Sequence, residues 1–341
     1  MAVEIGSSTL ALVASAQREA ADWDADLSRL ASPGPIQQTG AWGEAHQRLG
    51  WRVERLRLAG GPRALVMLRG AGPFEWAYAP RGPVPATIEA VFELVEWARS
   101  RRLAMLRVEP EGPSDLGDVL AASGFRRGEL SEPRHTLIVT LDDDERLLAS
   151  FHAGTRHKIR RAARSGIVVE ESNDIDELAR QVEITYRRHN VRMNAGLARA
   201  LYHHLPASRI YVARYGGEIL AAILIVEHGR RAYYVAGGSS GLRRELLPNH
   251  LLQWRAMSDA YRNGCVDYDM VGMPPPNKPN HPWHGLYQFK SGFGGKEVEY
   301  AGSWDLRLST AVCALMRGSA QLRARATNLS YRLRRIADAT R

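Results

Sequence analysis

Phe289 and Lys290 stand just ahead of three glycines in GLYQFKSGFGGKEVEY, residues 285–300. A loop of that kind holds an ammonium in a confined place with little side-chain bulk around it, and the plain alternative is a surface lysine on a hairpin whose glycines serve the turn. The ring beside it offers a stacking surface, and the glycines suggest a loop in which a ligand backbone approaches closely. A second group is cationic. RHKIRRAAR, residues 156–164, holds five Arg/Lys and no acid. Helical spacing puts Arg156, Arg160 and Arg164 on one side, with Lys158 and Arg161 on others. Such a helix suits phosphates, which position a nucleic acid without reading its sequence. A third group mixes Tyr and Arg: Tyr78 and Arg81 in YAPRGPV, Arg188 in ITYRRHNV beside its competitors Arg187 and Arg192, and Tyr233 and Tyr234 ahead of Gly237 and Gly238. Adjacent strand residues point to opposite faces, so one tyrosine is core and the other, Tyr234, is the pocket residue.

The elements that must carry these residues alternate. RALVMLRG and FEWAYAPRGPV read as strands, TIEAVFELVEWARSRR as a helix, LAMLRVEP as a strand, LGDVLAASGF as a short helix closed by Gly124, and RHTLIVTL as a strand. After an acidic start the basic segment continues one helix to Gly166. A long helix over IDELARQVEITYRRHN follows, then strands RIYVARY, EILAAILIVEHG and RAYYVAGGS, the first two joined by the hairpin signal YGGEIL. A helix NHLLQWRAMSDAYRNG and a strand VDYDMVG come next. This is an α/β (α+β) chain of two successive units with similar element order. The expected division is 1–146 and 147–306, with 307–341 packing on the first unit. STLALVASAQ follows Glu4 rather than a basic segment and reads as a first strand or an edge.

Composition narrows the class. The chain has 341 residues, 45% hydrophobic and 24% charged, enough for two cores. Two cysteines build no disulfide framework, no metal-ligand spacing occurs, and the expectation is a cytoplasmic protein without metal or cofactor. No run reaches the ~18 apolar residues of a membrane span. The net charge is +9, of which residues 156–164 supply +5 and residues 317–341, with seven Arg and one Asp, supply +6. The rest of the chain is slightly acidic, so two local segments carry the attraction for polyanions. The C-terminal one alternates Leu and Arg in a helical way and suits RNA or an anionic membrane surface.

Five segments in order, QQTGAWGEAHQRLGW, YAPRGPV, TRHKIRRAARSGIVV, LPNHLLQWRAMSDAYRNGCVDYDMVGM and GLYQFKSGFGGKEVEYAGSWDL, resemble the Fem family of FemX, FemA and FemB type aminoacyltransferases over residues 36–306. The resemblance implies two tandem GNAT (acetyltransferase)-like domains. No long heptad pattern occurs, so the chain resembles the short FemX-like form without a coiled-coil arm. It implies an aminoacyl-tRNA donor and, as acceptor, a primary amine of a UDP-linked or lipid-linked muropeptide or another peptide, with a monomeric enzyme at most peripheral to the membrane. Phe289 and Lys290 then lie near the tRNA acceptor end as the catalytic pair, Lys290 stabilising the oxyanion of the aminoacyl ester and Phe289 packing on the terminal adenosine, with the basic helix on the RNA. Trp42, His46, Tyr78, Arg81, Arg188, Tyr234 and Asn249 become substrate-binding candidates. Two positions depart from the family: His46 stands where a phosphate-gripping Lys is expected, and Ala86 where an acidic residue often follows. They keep open a small peptide or natural-product acceptor. An acyl-CoA-dependent N-acyltransferase would need an Arg/Gln-x-x-Gly-x-Gly/Ala turn before a helix; RYGGEI, the nearest match, lies in the hairpin. A noncatalytic RNA-binding protein would leave the FK-x-GFGG segment unexplained.

Overall fold

A computed structural model describes residues 21–27, 30, 34–188, 195–205, 207–276 and 278–316. The STLALVASAQ stretch, Arg192 and the basic segment 317–341 lie outside the described residues. Residues 21–27 are helical (α1). Thr39 caps α2 (Gly40–Gln47) by accepting from Trp42 N. Strands β1 (Arg52–Arg57), β2 (Arg63–Arg69) and β3 (Trp76–Arg81) form an antiparallel meander, and α3 (Ile88–Ser100) crosses over to β4 (Met105–Pro110), parallel to β3. Then come α4 (Leu116–Ala122), the short β5 (Arg126–Arg127) and β6 (His135–Thr140). The predicted single basic helix is two: α5 (Asp144–Ser150) and α6 (Ala153–Ala163), broken at Phe151 in extended conformation.

The chain continues through β7 (Val168–Ser172), α7 (Ile175–Arg188), α8 (Ala195–His204), β8 (Ser208–Tyr215), β9 (Glu218–His228) and β10 (Arg231–Ser239). Gly216 and Gly217 both take positive φ in the β8–β9 turn, as the hairpin reading requires. After them come α9 (Pro248–Arg262), β11 (Asp267–Asp269), α10 (His284–Ser291), β12 (Lys296–Glu299), β13 (Trp304–Arg307) and a helix over 310–316 (α11).

The strands make two sheets, ordered β1-β2-β3-β4-β13-β5 and β12-β6-β11-β10-β9-β8-β7. Sheet membership changes between β5 and β6, ahead of the expected boundary at residue 146, and changes back at β13, ahead of residue 307. Alternation in RHTLIVTL shows that a strand forms but carries no information about which sheet receives it, and neighbours in sequence are the default guess. We propose that the domain division follows the sheets.

One face of the second sheet packs Leu147, Phe151 and Ile159 of the α5–α6 region and Leu252 and Met257 of α9. The other face packs Leu178 and Val182 of α7, Leu201 of α8 and, from the first half of the chain, Ile36 and Trp42. Helix α2 is therefore a wall of the second sheet's core, and the two sheets meet through it. The first sheet is covered by α3 and α4 through Val91, Leu94 and Leu120.

The seating of α7 depends on Gly238. A Cβ there would stand 2.1 Å from Gln181 O and 2.4 Å from Val182 N, backbone atoms that can yield only if the helix moves. Gly238→Ala is expected to cost about 2–3 kcal/mol by overpacking, read as a lower urea midpoint; an unchanged midpoint would show that α7 does not rest on this strand.

Candidate active site

Strands β10 and β11 run parallel, but only Arg231–Tyr233 pair with Asp267–Asp269. Beyond that register β10 continues to Ser239 with an irregularity between Tyr234 and Ala236, while the other strand turns away through Val271 and Gly272, both at positive φ. Where the strands part, backbone carbonyls lose their ladder partners. Lys290 fills that place. It is 4% exposed, and its Nζ donates to Met270 O (2.6 Å), Val271 O and Gly272 O (2.8 Å). From the β10 side the Tyr234 ring lies beneath it, 5.2 Å from Nζ to the centroid. Asp269 bends the same segment by accepting from Val271 N (2.8 Å) and from Thr136 Oγ1. Burial pushes the Lys290 ammonium down to about 7, with the Asp269 carboxylate opposing.

Lys290 thus sits in the last turn of a helix, not in a glycine loop. An ammonium has three N–H donors, and here each has a carbonyl, so none points to an open cleft. The glycines also differ from expectation, because they face the protein's own chain. A Cβ at Gly292 would stand 2.3 Å from Thr155 Oγ1, at Gly294 2.8 Å from Ser150 O, and at Gly295 2.5 Å from Ile138 O. They let the turn after α10 lie against α5, α6 and β6.

One position earlier, and about 100° around the helix, Phe289 faces elsewhere. Its ring meets the His250 ring edge-to-face at 5.0 Å and that of Phe293 at 5.3 Å. Burial, and secondarily the Lys158 ammonium, push the His250 imidazolium down to about 4, so the ring is neutral near pH 7. Lys158, His250 and Phe289, from α6, α9 and α10, therefore converge. Lys158, Arg160, Arg161 and Arg164 are exposed, and among the described residues none forms an ion pair. Arg156 differs: its guanidinium donates to Phe151 O and to Ala149 O (3.3 Å), where α5 ends. It closes that helix rather than joining the cationic face.

The remaining candidates divide. Trp42 is buried in the α2 wall, stacked on His46 at 5.0 Å. His46 is 7% exposed, its Nδ1 lies 3.0 Å from Trp42 O, and burial lowers its pKa. A buried neutral imidazole packed this way does not grip a diphosphate. Tyr78 is buried and donates to Glu109 Oε2 at 2.6 Å, which fixes it inside the first half of the chain. Arg81, at φ +52°, donates to Pro133 O and lies over the Tyr300 ring at 4.2 Å. Arg188 ties α7 to the end of β10 through Ser239 O, Ser239 Oγ (3.3 Å) and Thr185 Oγ1 (3.1 Å), whereas Arg187 pairs with Glu183 at 2.6 Å. Asn249 is half-buried beside His250 in the first turn of α9. Tyr234, the expected pocket residue, lies beneath the Lys290 ammonium, while Tyr233, the expected core residue, lines a cavity on the opposite face.

The structure thus gathers Lys290, Phe289, Tyr234 and Lys158 into one region and leaves Trp42, His46 and Tyr78 in cores. His250 and Asp269 belong to the region and had no sequence signal of their own beyond lying within matched segments. No group of three or more His, Cys, Asp or Glu suited to a metal ion occurs among the described residues. No described helix is long and apolar enough to cross a membrane.

Two α/β units, each with one parallel strand pair set among antiparallel strands, have the architecture of the tandem GNAT-like fold. A FemX crystal structure superposes with a TM-score of 0.75 at 20% identity, covering 86% of this chain and 97% of that one. A tandem GNAT protein from the clavulanic acid biosynthesis pathway matches with a TM-score of 0.51 at 15% identity, over 85% and 95% of the two chains. The FemAB family model matches residues 198–317. Lipid II:glycine glycyltransferases from Staphylococcus haemolyticus (strain JCSC1435) and Staphylococcus aureus (strain MRSA252) are each 22% identical, over 89% of this chain and 94% of theirs. The FemAB model thus covers part of this chain, and the glycyltransferases align along most of it.

Lys290→Met should lower the unfolding free energy by about 3 kcal/mol or more, since three buried carbonyls lose a charged donor; urea unfolding within 0.5 kcal/mol of the parent would contradict the clamp. His250 yields a pH prediction. The unfolded chain takes up its proton near 6.5 and the folded one only near 4, so His250 contributes stability that is present above 6.5 and lost as pH falls toward 4. His250→Phe should lose less stability than the parent across that interval in parallel denaturant titrations; equal losses would place the imidazole in water.

Proposed function

We propose that this protein transfers an amino acid from aminoacyl-tRNA to a primary amine of a lipid-linked peptidoglycan precursor. The observation that carries the reading is the junction of two surfaces. An exposed cationic face on α6 runs to the neutral His250–Phe289 pair, and that pair borders the opening between β10 and β11 held by Lys290. Cations on the outside suit a phosphate backbone, and aromatic rings at the edge of the opening suit a terminal base. The names of the curated relatives supply the acceptor class, lipid II.

In the reaction the acceptor nitrogen attacks the ester carbonyl of the aminoacyl group. A C–N bond forms, the C–O bond to the ribose breaks, the amine loses a proton and the ribose hydroxyl gains one. The ester is already activated, so the chain's contribution is placement and charge. Lys290 acts here as a positioning residue, fixing the backbone of Met270–Gly272 that forms one lip of the opening, and Phe289 seats the RNA terminus.

Incubation of the protein with a labelled aminoacyl-tRNA pool and lipid II should move label from RNA to lipid in a ribonuclease-sensitive way; label that stays on RNA, or robust ribonuclease-insensitive turnover of acyl-CoA, would overturn the reading. Replacing Lys158, Arg160, Arg161 and Arg164 together by Ala should weaken tRNA binding and flatten its dependence on salt by up to about four counterions. Arg156→Ala should leave the slope unchanged. An unaltered slope in the quadruple variant would remove RNA from the α6 face.

A further inference from the structure

On the face of β10 opposite Lys290 lies a cavity of about 360 Å³. It is closed on one side by Pro35, Pro83, Val84 and Pro85, and on the other by Arg230, Arg231, Tyr233 and Asp267 at the start of β10 and β11. Arg81 and Glu111 enter from the first half of the chain. The fixed charges are three guanidiniums against two carboxylates.

These groups are not equivalent. Arg231 is held between Glu111 (3.4 Å) and Asp267 (3.2 Å), and Arg81 is anchored on Pro133 O and the Tyr300 ring. Arg230 is exposed at the rim, and among the described residues its guanidinium has no hydrogen bond or ion pair. The lining therefore carries one cation in excess, and that cation is the one with unused donors. A singly charged carboxylate balances the excess and matches the guanidinium fork. A phosphate dianion would leave a negative charge beside Glu111 and Asp267. The proline and valine wall admits a small apolar side chain and offers few donors to a sugar or base.

We propose that this cavity receives the terminal carboxylate of a peptide, ion-paired to Arg230, with the adjoining small side chain packed on Pro83, Val84 and Pro85. The inference rests on the reading that the acceptor bears a peptide, and it assigns the end of that peptide away from the attacking amine. Asp269 links the two regions, because its charge is felt by Lys290 on one face and by Arg231 and Tyr233 on the other.

Calorimetric titration of the full chain with an amine-bearing pentapeptide ending in alanine, as free carboxylate and as carboxamide, tests it. The carboxylate form should bind about tenfold more tightly, the equivalent of one partly exposed charge-assisted bond. Arg230→Ala should remove the difference, and Arg230→Lys should keep part of it. Equal binding of the two peptides by the parent, or a difference that survives in Arg230→Ala, would overturn the proposal. Inorganic phosphate that displaces the peptide and binds more tightly in an Arg230-dependent way would also overturn it, in favour of a phosphate site. The transfer assay is independent: carboxylate-dependent binding without transfer to lipid would remove the transferase reading and leave the cavity, and transfer without such binding would remove the cavity alone.

Discussion

The ammonium of Lys290 on three successive carbonyls is the constraint from which the rest of the site follows. Parallel strands that part leave backbone oxygens in a region without water, and an unmatched buried carbonyl is costly. A single side chain with three donors resolves all of them at once. That solution holds the last turn of α10 against the segment that follows β11, which fixes the helix in rotation. With the rotation fixed, Phe289 must point toward α9, and the turn after the helix must pass so close to α5 and β6 that Gly292, Gly294 and Gly295 admit no side chain.

Charge in this protein is partitioned by solvent. Lys290 lies inside, where each proton has an acceptor and burial works against the charged form. The cations of α6 lie outside, where water meets them at little cost and salt screens them. Between the two stands a neutral imidazole in contact with Phe289. A ligand that crosses from the outer face to the opening moves from long-range attraction, through stacking, to a region where short-range geometry decides.

Much of this was legible in the sequence. Hydrophobic alternation placed β2, β3, β4, β8, β9 and β10, and helical spacing placed α3, α7 and α9, because each has one clear apolar face or a buried run. What escaped had physical reasons. RVERLR in β1 is an edge strand with no apolar alternation. The glycines of FK-x-GFGG suggested a loop, since spacing cannot distinguish a glycine that admits a ligand from one that admits a neighbouring helix. His46 and Tyr78 drew notice as polar residues in matched segments, but only packing reveals that the first is stacked on Trp42 and the second bound to Glu109. Arg231 and Glu111 could not be paired from the sequence at all, being brought together by the meeting of two sheets.

Strand β13 sits between β4 and β5, although nearly two hundred residues separate it from β4 in the chain. A ribosome therefore releases β1 through β5 long before the strand that joins β4 to β5 exists. Until then β4 has an open edge facing the side where β5 should be, a surface that invites pairing with another chain. The second sheet also takes β12 from the late part of the sequence. The second sheet lacks β12 until synthesis passes residue 299 and the first lacks β13 until it passes residue 307, so a nascent chain stalled earlier carries two unfinished sheets exposed together.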